Sequence, residues 1–353
     1  MLALQDNPRP AVLVTGGAGY IGSHVCQALC QAGYMPVAYD NLTYGDCWPV
    51  IWGPFEKGDM LDRARLDGVL FRYAPVAIMH FAAFANEGAP ETGPGENYRN
   101  NVAGSLTLLE AARDRGLGYF VFSSSCAIYG IPDRLPVGEE SPLRPVSLCG
   151  AAKLVTEFML SDFEAAHGLK WAALRYFNAA GAGPSVCTGE GRFPETQLIP
   201  LVLDAVAGRR KAVAVWGTDY DTPDGTCVRD YVHVSDIADA HVKALEALLS
   251  GSAASGAYNL GLGHGFSVRE VIKAAERVTG LSVPLVEGAR RPGDPAQLVA
   301  DAAKAGKDLG WRPQTTELSE IIETAWAWHQ RSKAPGRDRR AASGATDSVR
   351  SRV

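Results

Sequence analysis

The feature that most restricts the fold is a short apolar run that passes directly into a glycine turn and then into a helical repeat. Ala11-Val12-Leu13-Val14 leads into Thr15-Gly16-Gly17-Ala18-Gly19-Tyr20-Ile21-Gly22, after which Ile21, Val25 and Leu29 recur at helical spacing. A strand, turn and helix of this kind opens a β-α-β unit whose helix N-terminus offers unpaired N–H groups to an anion. Gly16 permits the tight turn, Gly19 lets the backbone approach a pyrophosphate, and Gly22 lets helix and strand pack closely. The second expected strand, Met35–Tyr39, ends at Asp40, where a carboxylate takes the two hydroxyls of an adenosine ribose. That charge repels a 2′-phosphate, and no Arg stands in the following Asn41-Leu42-Thr43-Tyr44, so the residues favour NAD over NADP.

The alternation continues along the chain. Ala11–Thr15, Met35–Tyr39, Val76–Phe81, Tyr119–Ser123 and Lys170–Tyr176 read as buried strands; Ile21–Ala32, Asp62–Tyr73, Asn101–Arg115 and Ala151–His167 read as helices. This predicts an α/β fold with a doubly wound parallel sheet of Rossmann type. After about Asn178 glycine, proline and aspartate become frequent, and helices over Gln197–Gly208, Val234–Leu249 and Val268–Thr279 are separated by irregular loops. The expected organisation is a dinucleotide-binding domain over 11–178 and a smaller C-terminal substrate-binding lobe over 179–330, some of whose segments return to the first domain. The stretch 332–353, rich in Ala, Gly, Ser and Arg, is expected to be a disordered tail.

Charge and cysteine usage exclude several classes. The net charge is −5, and because the stretch from Ser332 carries six cations against Asp338 and Asp347, the body stands near −9. An acidic body argues against nucleic-acid binding. The 7 cysteines are scattered, with no CxxC pair and no His/Cys cluster at ligand spacing, which reads as reduced thiols and no metal site. Residues 1–10 lack the build of a signal peptide, and no apolar run approaches the roughly 18 residues of a membrane span, so a cytoplasmic address is expected.

The G-x-x-G-x-x-G spacing resembles that of the extended short-chain dehydrogenases, and further landmarks fall in that family's order: Gly58-Asp59-Met60, Phe81-Ala82-Ala83, Asn100-Asn101 and Ser123-Ser124-Ser125. Longer stretches narrow the likeness: Arg175-Tyr176-Phe177-Asn178, Pro194-Glu195-Thr196-Gln197-Leu198, Gly217 through His233, and Arg290-Arg291-Pro292-Gly293-Asp294. Over about residues 11–330 the chain is similar to the UDP-glucose (UDP-galactose) 4-epimerase family, with the UDP-xylose/UDP-arabinose 4-epimerases as near relatives. The resemblance implies NAD held by Gly16, Gly19, Tyr20, Ile21, Gly22, Asp40, Asn41, Asp59, Met60, Phe81, Ala82, Ala83, Asn100, Ser123, Lys153 and Tyr176. It implies a UDP-sugar held by Ser125, Asn178, Gln197, Leu198, Ala214, Val215, Trp216, Arg229, Tyr231, Arg291, Asp294 and Leu298, with Leu298 closing the far end of the hexose pocket. Two arginines suit a diphosphate, because each guanidinium offers a fixed fork of donors. A second copy of the chain is implied as partner, through Asn101–Arg115 and Ala151–His167; nucleic acid and membrane are not.

The implied chemistry is reversible oxidation at sugar C4. A Tyr in a Y-x-x-x-K motif takes the 4-hydroxyl proton, a Ser hydroxyl assists, and the keto sugar turns over and is reduced on its other face. Ser125 and Lys153 match the Ser and Lys, but the Tyr position holds Cys149. A cysteine sulfur ends about 4 Å short of a tyrosine hydroxyl, and a general base must lie within hydrogen-bond reach of its proton. An active-site substitution, a non-catalytic NAD/UDP-sugar-binding homologue and a rerouted base all fit this departure. Two further stretches depart from the family: Ala85–Tyr98, whose Pro90, Pro94 and three glycines predict no continuous helix, and Gly183–Phe193, which is less acidic.

Overall fold

The structure is a computed structural model that describes residues 9–44, 50–84, 93–183, 188–191 and 195–332. The chain winds outward in both directions from a central strand, β1 (Ala11–Thr15). On one side lie β2 (Met35–Asp40) and β3 (Phe55–Lys57); on the other lie β4 (Ala77–His80), β5 (Tyr119–Ser125), β6 (Lys170–Tyr176) and finally Gly256–Leu260. Every neighbouring pair is parallel, which makes the sheet the doubly wound Rossmann type. Side chains alternate across it. Val12 and Val14 face Val25 and Leu29 of α1 (Tyr20–Gln31) and Leu245 of the helix Val234–Ser250. Leu13 faces Leu66 of α2 (Arg63–Tyr73), Leu108 of the helix Gly104–Asp114 and Leu160 of the helix Leu148–His167. Both sheet faces are covered, and this is why the strands read as unbroken apolar runs.

A third core lies outside the sheet. Ile199 and Val202 of the helix Leu198–Val206, Ile272 of the helix Val268–Thr279 and Ile321 of the helix Leu318–Ser332 pack around Val213, Val215 and Tyr231. Ser332, the first residue of the expected tail, closes this last helix; 333–353 lie outside the described residues.

Several boundaries differ from expectation, each for a local reason. Helix Leu148–His167 starts three residues early because the Ser147 hydroxyl accepts the Gly150 N–H at 3.1 Å, which places Cys149 in the first helical turn. Within Ala85–Tyr98, residues 85–92 lie outside the described residues, but from Pro94 the chain is helical through Tyr98 and continues as a π turn over Arg99–Ala103. Proline at the first helical position gives up only an N–H that has no partner there. The strand Gly256–Leu260 has no β-branched residue to announce it and is held by pairing with β6. Of Gly183–Phe193, only Gly183 and 188–191 are described.

Three buried histidines tie stability to pH. His80 bridges Thr15 Oγ1 at 2.7 Å and Ser105 Oγ at 2.8 Å. Burial pushes His24, His80 and His241 down to about 4, about 3 and about 4. An unfolded histidine takes its proton near pH 6.5, so below that pH the unfolded chain binds more protons and stability falls as the pH falls. Each group removes about 1.4 kcal/mol per pH unit once inside that window. Urea unfolding should therefore show a clearly lower midpoint at pH 5 than at pH 7; equal midpoints would mean the three rings are not held neutral.

Candidate active site

The order of strands reverses between β1 and β4, and ligands of open α/β sheets sit in the crevice outside the carboxyl ends at such a point. A cleft of about 880 Å³ opens there and runs from the N-terminus of α1 to the elements around the third core. The cradle at its mouth admits no side chain. A Cβ on Gly16 would stand 2.6 Å from the Ala82 nitrogen, and one on Gly22 would stand 2.2 Å from the Gly16 carbonyl oxygen. Gly16 also has φ +72°, the left-handed region that glycine occupies without strain. Backbone thus lies bare where a pyrophosphate needs to approach. Asp40 is fixed at the end of β2 by N–H bonds from Ala18 at 3.1 Å and Leu42 at 2.8 Å. Burial raises its pKa, and those two N–H groups oppose the rise.

Deeper in, the ends of β5 and β6 meet the first turns of helix Leu148–His167. Ser125 pairs with Tyr176 across the strands, and the Ser123 hydroxyl bonds the Tyr176 hydroxyl. Lys153 lies one helical turn after Cys149, donates to the Ser123 carbonyl at 2.6 Å and rests over the Phe122 ring at 4.7 Å. Burial pulls the Lys153 ammonium down, while Cys149 and Glu157 act to raise it. Burial, with Cys149 adding to it, pushes the Tyr176 phenol up against the Ser123 hydrogen bond, so this ring stays protonated at neutral pH. Ser125, Cys149 and Lys153 all line the cleft. The site therefore joins a hydroxyl, a thiol in the first turn of a helix and a buried cation.

At the other end, Arg229 and Arg291 share one carboxylate. Asp294 accepts from Arg229 Nη2 and, at 2.7 Å, from Arg291 Nη2. Leu298 packs with Cys126, Tyr129 and Phe177 and closes the wall beside them.

Of the residues singled out in the sequence, two do not line the cleft. Asp59 is engaged with its surroundings: its carboxylate accepts from Asn41 Nδ2 at 2.8 Å and the Leu61 N–H at 2.9 Å. Val215 is buried in the third core, while its neighbours Ala214 and Trp216 line the cleft. Sequence reasoning missed Phe84, which lines the cleft with its ring edge-on to Tyr44 at 5.6 Å. Its main chain is held by Asn101, whose side chain accepts the Phe84 N–H at 2.7 Å and donates to the Phe84 carbonyl at 3.0 Å.

Residues 12–261 match the model of the NAD dependent epimerase/dehydratase family. The chain is 50% identical to the UDP-glucose 4-epimerase of Rhizobium meliloti over 325 residues, 92% of this chain and 98% of that protein. Its structure is similar to that of UDP-glucose 4-epimerase from Brucella ovis in complex with NAD, with TM-score 0.87, 49% identity and 90% and 98% of the two chains covered. It is also similar to UDP-glucose-4-epimerase from Stenotrophomonas maltophila with bound NAD and formylated UDP-arabinopyranose, with TM-score 0.88, 40% identity and 92% and 98% covered.

Proposed function

The chain belongs to the NAD dependent epimerase/dehydratase family, and from that premise we propose that it interconverts UDP-glucose and UDP-galactose at sugar C4, with NAD as its resident cofactor. One observation carries the reading: a single cleft holds the bare glycine cradle, the Ser125, Cys149 and Lys153 cluster, and the paired arginines. Relatives named UDP-glucose 4-epimerase support hexose over pentose epimerisation and over a non-catalytic binder. NAD, when bound, would supply the two-electron acceptor that takes hydride from C4 and gives it back.

The chain's own groups do the rest. The α1 N-terminus and Gly16 to Gly22 take the pyrophosphate, and Asp40 takes the adenosine ribose. Lys153 supplies the cation that tunes the base position and would hold the nicotinamide ribose, and Ser125 offers the reacting oxygen a hydrogen-bond partner. Arg229 and Arg291 anchor the diphosphate; Ala214 and Trp216 meet the uracil. Cys149 stands where a proton-accepting phenol belongs and stops short of the 4-hydroxyl, so proton removal is slow in this chain. Mass measurement of the nucleotide released on denaturation, beside conversion of UDP-galactose to UDP-glucose, tests the reading. NAD and slow conversion are expected; absence of nucleotide together with no binding of UDP would overturn it.

Asp40 sets the cofactor. NAD should bind at least about tenfold more tightly than NADP by calorimetry, since a 2′-phosphate beside that carboxylate meets like charge with no Arg to offset it. Equal dissociation constants would remove Asp40 from the ribose site.

The chain acts as a cytoplasmic homodimer in this reading. Among the described residues no helix is long and apolar enough to cross a membrane. Leu106 on the helix Gly104–Asp114, and Val155 and Phe158 on the neighbouring helix Leu148–His167, are exposed apolar side chains on two elements that pack together. Light scattering should give twice the chain mass, and Phe158→Glu should halve it. An unaltered mass in that variant would place the interface elsewhere.

A further inference from the structure

We infer that Glu157 is a positioning residue for the reaction: its buried carboxylate ties together the paired ends of β5 and β6 and so fixes Ser125, Lys153 and Tyr176 in the cleft. The inference rests on the epimerase reading of that cleft and adds a residue to it that touches neither ligand.

Glu157 lies one helical turn after Lys153, on the same face of helix Leu148–His167, and is 5% exposed. Its Oε1 accepts the Ser124 hydroxyl at 2.5 Å and Arg175 Nε at 3.0 Å; its Oε2 accepts Arg175 Nη2 at 2.5 Å. Ser124 and Arg175 are themselves partners in the ladder, and the next pair along is Ser125 and Tyr176. One carboxylate therefore spans a cross-strand pair immediately before the Ser125 and Tyr176 pair that lines the cleft. The fork of two bonds to Arg175 fixes direction as well as distance.

Arg175 extends the hold to a third segment. Its Nη1 donates to the Tyr129 hydroxyl at 2.9 Å, and Tyr129 donates to Asn259 Oδ1 at 2.8 Å on the strand Gly256–Leu260. Tyr129 belongs to the short turn Cys126–Tyr129 that leaves β5 directly after Ser125. Ser125 is thus held on both sides in sequence. Lys153 is held through the same strand, since its acceptor is the Ser123 carbonyl. A charge pair so deeply buried contributes little net stability against an apolar replacement, and its best-attested use is to specify one arrangement.

Two variants test this, each made in the chain as it stands and in the Cys149→Tyr form. Glu157→Gln keeps the shape but leaves the Arg175 charge unpaired, and Ser124→Ala cuts only the tie to β5. Amide hydrogen exchange at 123–125 and 175–176 should rise at least about tenfold in both variants, with the glycine cradle unchanged. In the tyrosine form, kcat for UDP-galactose should fall about ten- to a hundredfold in Glu157→Gln while KM and the Kd for UDP stay within about twofold, as expected of misplaced reacting groups with intact binding. Unaltered exchange at those amides would overturn the inference whether or not the tyrosine form epimerises. Faster exchange with an unchanged kcat, or a parallel loss of kcat and UDP affinity, would overturn it as well, showing a structural role only. A tyrosine form that binds UDP but does not turn over would count against the epimerase reading, and the exchange result would still decide the tie.

Discussion

Cys149→Tyr raises the rate of UDP-galactose epimerisation by at least about a hundredfold at nearly unchanged KM, because a positioned general base is worth about 10²–10⁴-fold. The surroundings for a phenol are already in place. Position 149 is in the first turn of its helix, capped by Ser147, with Lys153 one turn on and Ser125 lining the same cleft. A phenol there meets the buried Lys153 cation, which lowers its pKa toward the working range. Tyr176 is no substitute, since burial pushes its pKa up and its hydroxyl is occupied by Ser123. Lys153→Ala in the tyrosine form should undo much of the gain. UDP affinity should be untouched by either change, because Arg229 and Arg291, the proposed diphosphate anchors, line the other end of the cleft. Comparable turnover by the cysteine and tyrosine forms would show that a different group takes the proton.

The cradle and the sheet were legible in the sequence because their requirements are local. A tight turn at Gly16 and close packing at Gly22 each demand glycine at one position, and β1, β4, β5 and β6 bury both faces and so stand out as apolar runs. What was hidden depends on partners distant in the chain. The strand Gly256–Leu260 is defined by β6, some eighty residues earlier, and not by its own composition. The Asp59 carboxylate accepts from Asn41 Nδ2, a partner eighteen residues earlier. The Val215 side chain is committed to the third core by contacts with distant helices. The tie of Glu157 to Ser124 and Arg175 joins a helix to two strands, and no spacing in one dimension announces it. The site was therefore readable where chemistry constrains a single residue type and unreadable where the constraint is a shared bond.

Arg229→Met should weaken UDP binding about 10- to 100-fold and Arg291→Met clearly less, although both guanidiniums reach the same Asp294 carboxylate. A hydrogen bond to a charged group contributes about 1.5–3 kcal/mol, and about 1.4 kcal/mol is a factor of ten in affinity. The difference between the two lies in prior order. Arg229 is 14% exposed at its side chain and already fixed by the Val228 carbonyl at 2.8 Å as well as by Asp294. Arg291 is 60% exposed, so binding must first immobilise a side chain carrying about 2 kcal/mol of rotamer entropy. Asp294 offsets the mutual repulsion of the two cations, and in the proposed reading the remaining donors of each fork are left for the diphosphate. The cofactor cradle lies at the far end of the cleft, so NAD content should not change in either variant. Calorimetric titration with UDP reads all of this. Equal losses for the two arginines, or a larger loss for Arg291, would mean that the ion pair with Asp294 opens when the nucleotide binds, and that the order seen at Arg229 is not carried into the complex.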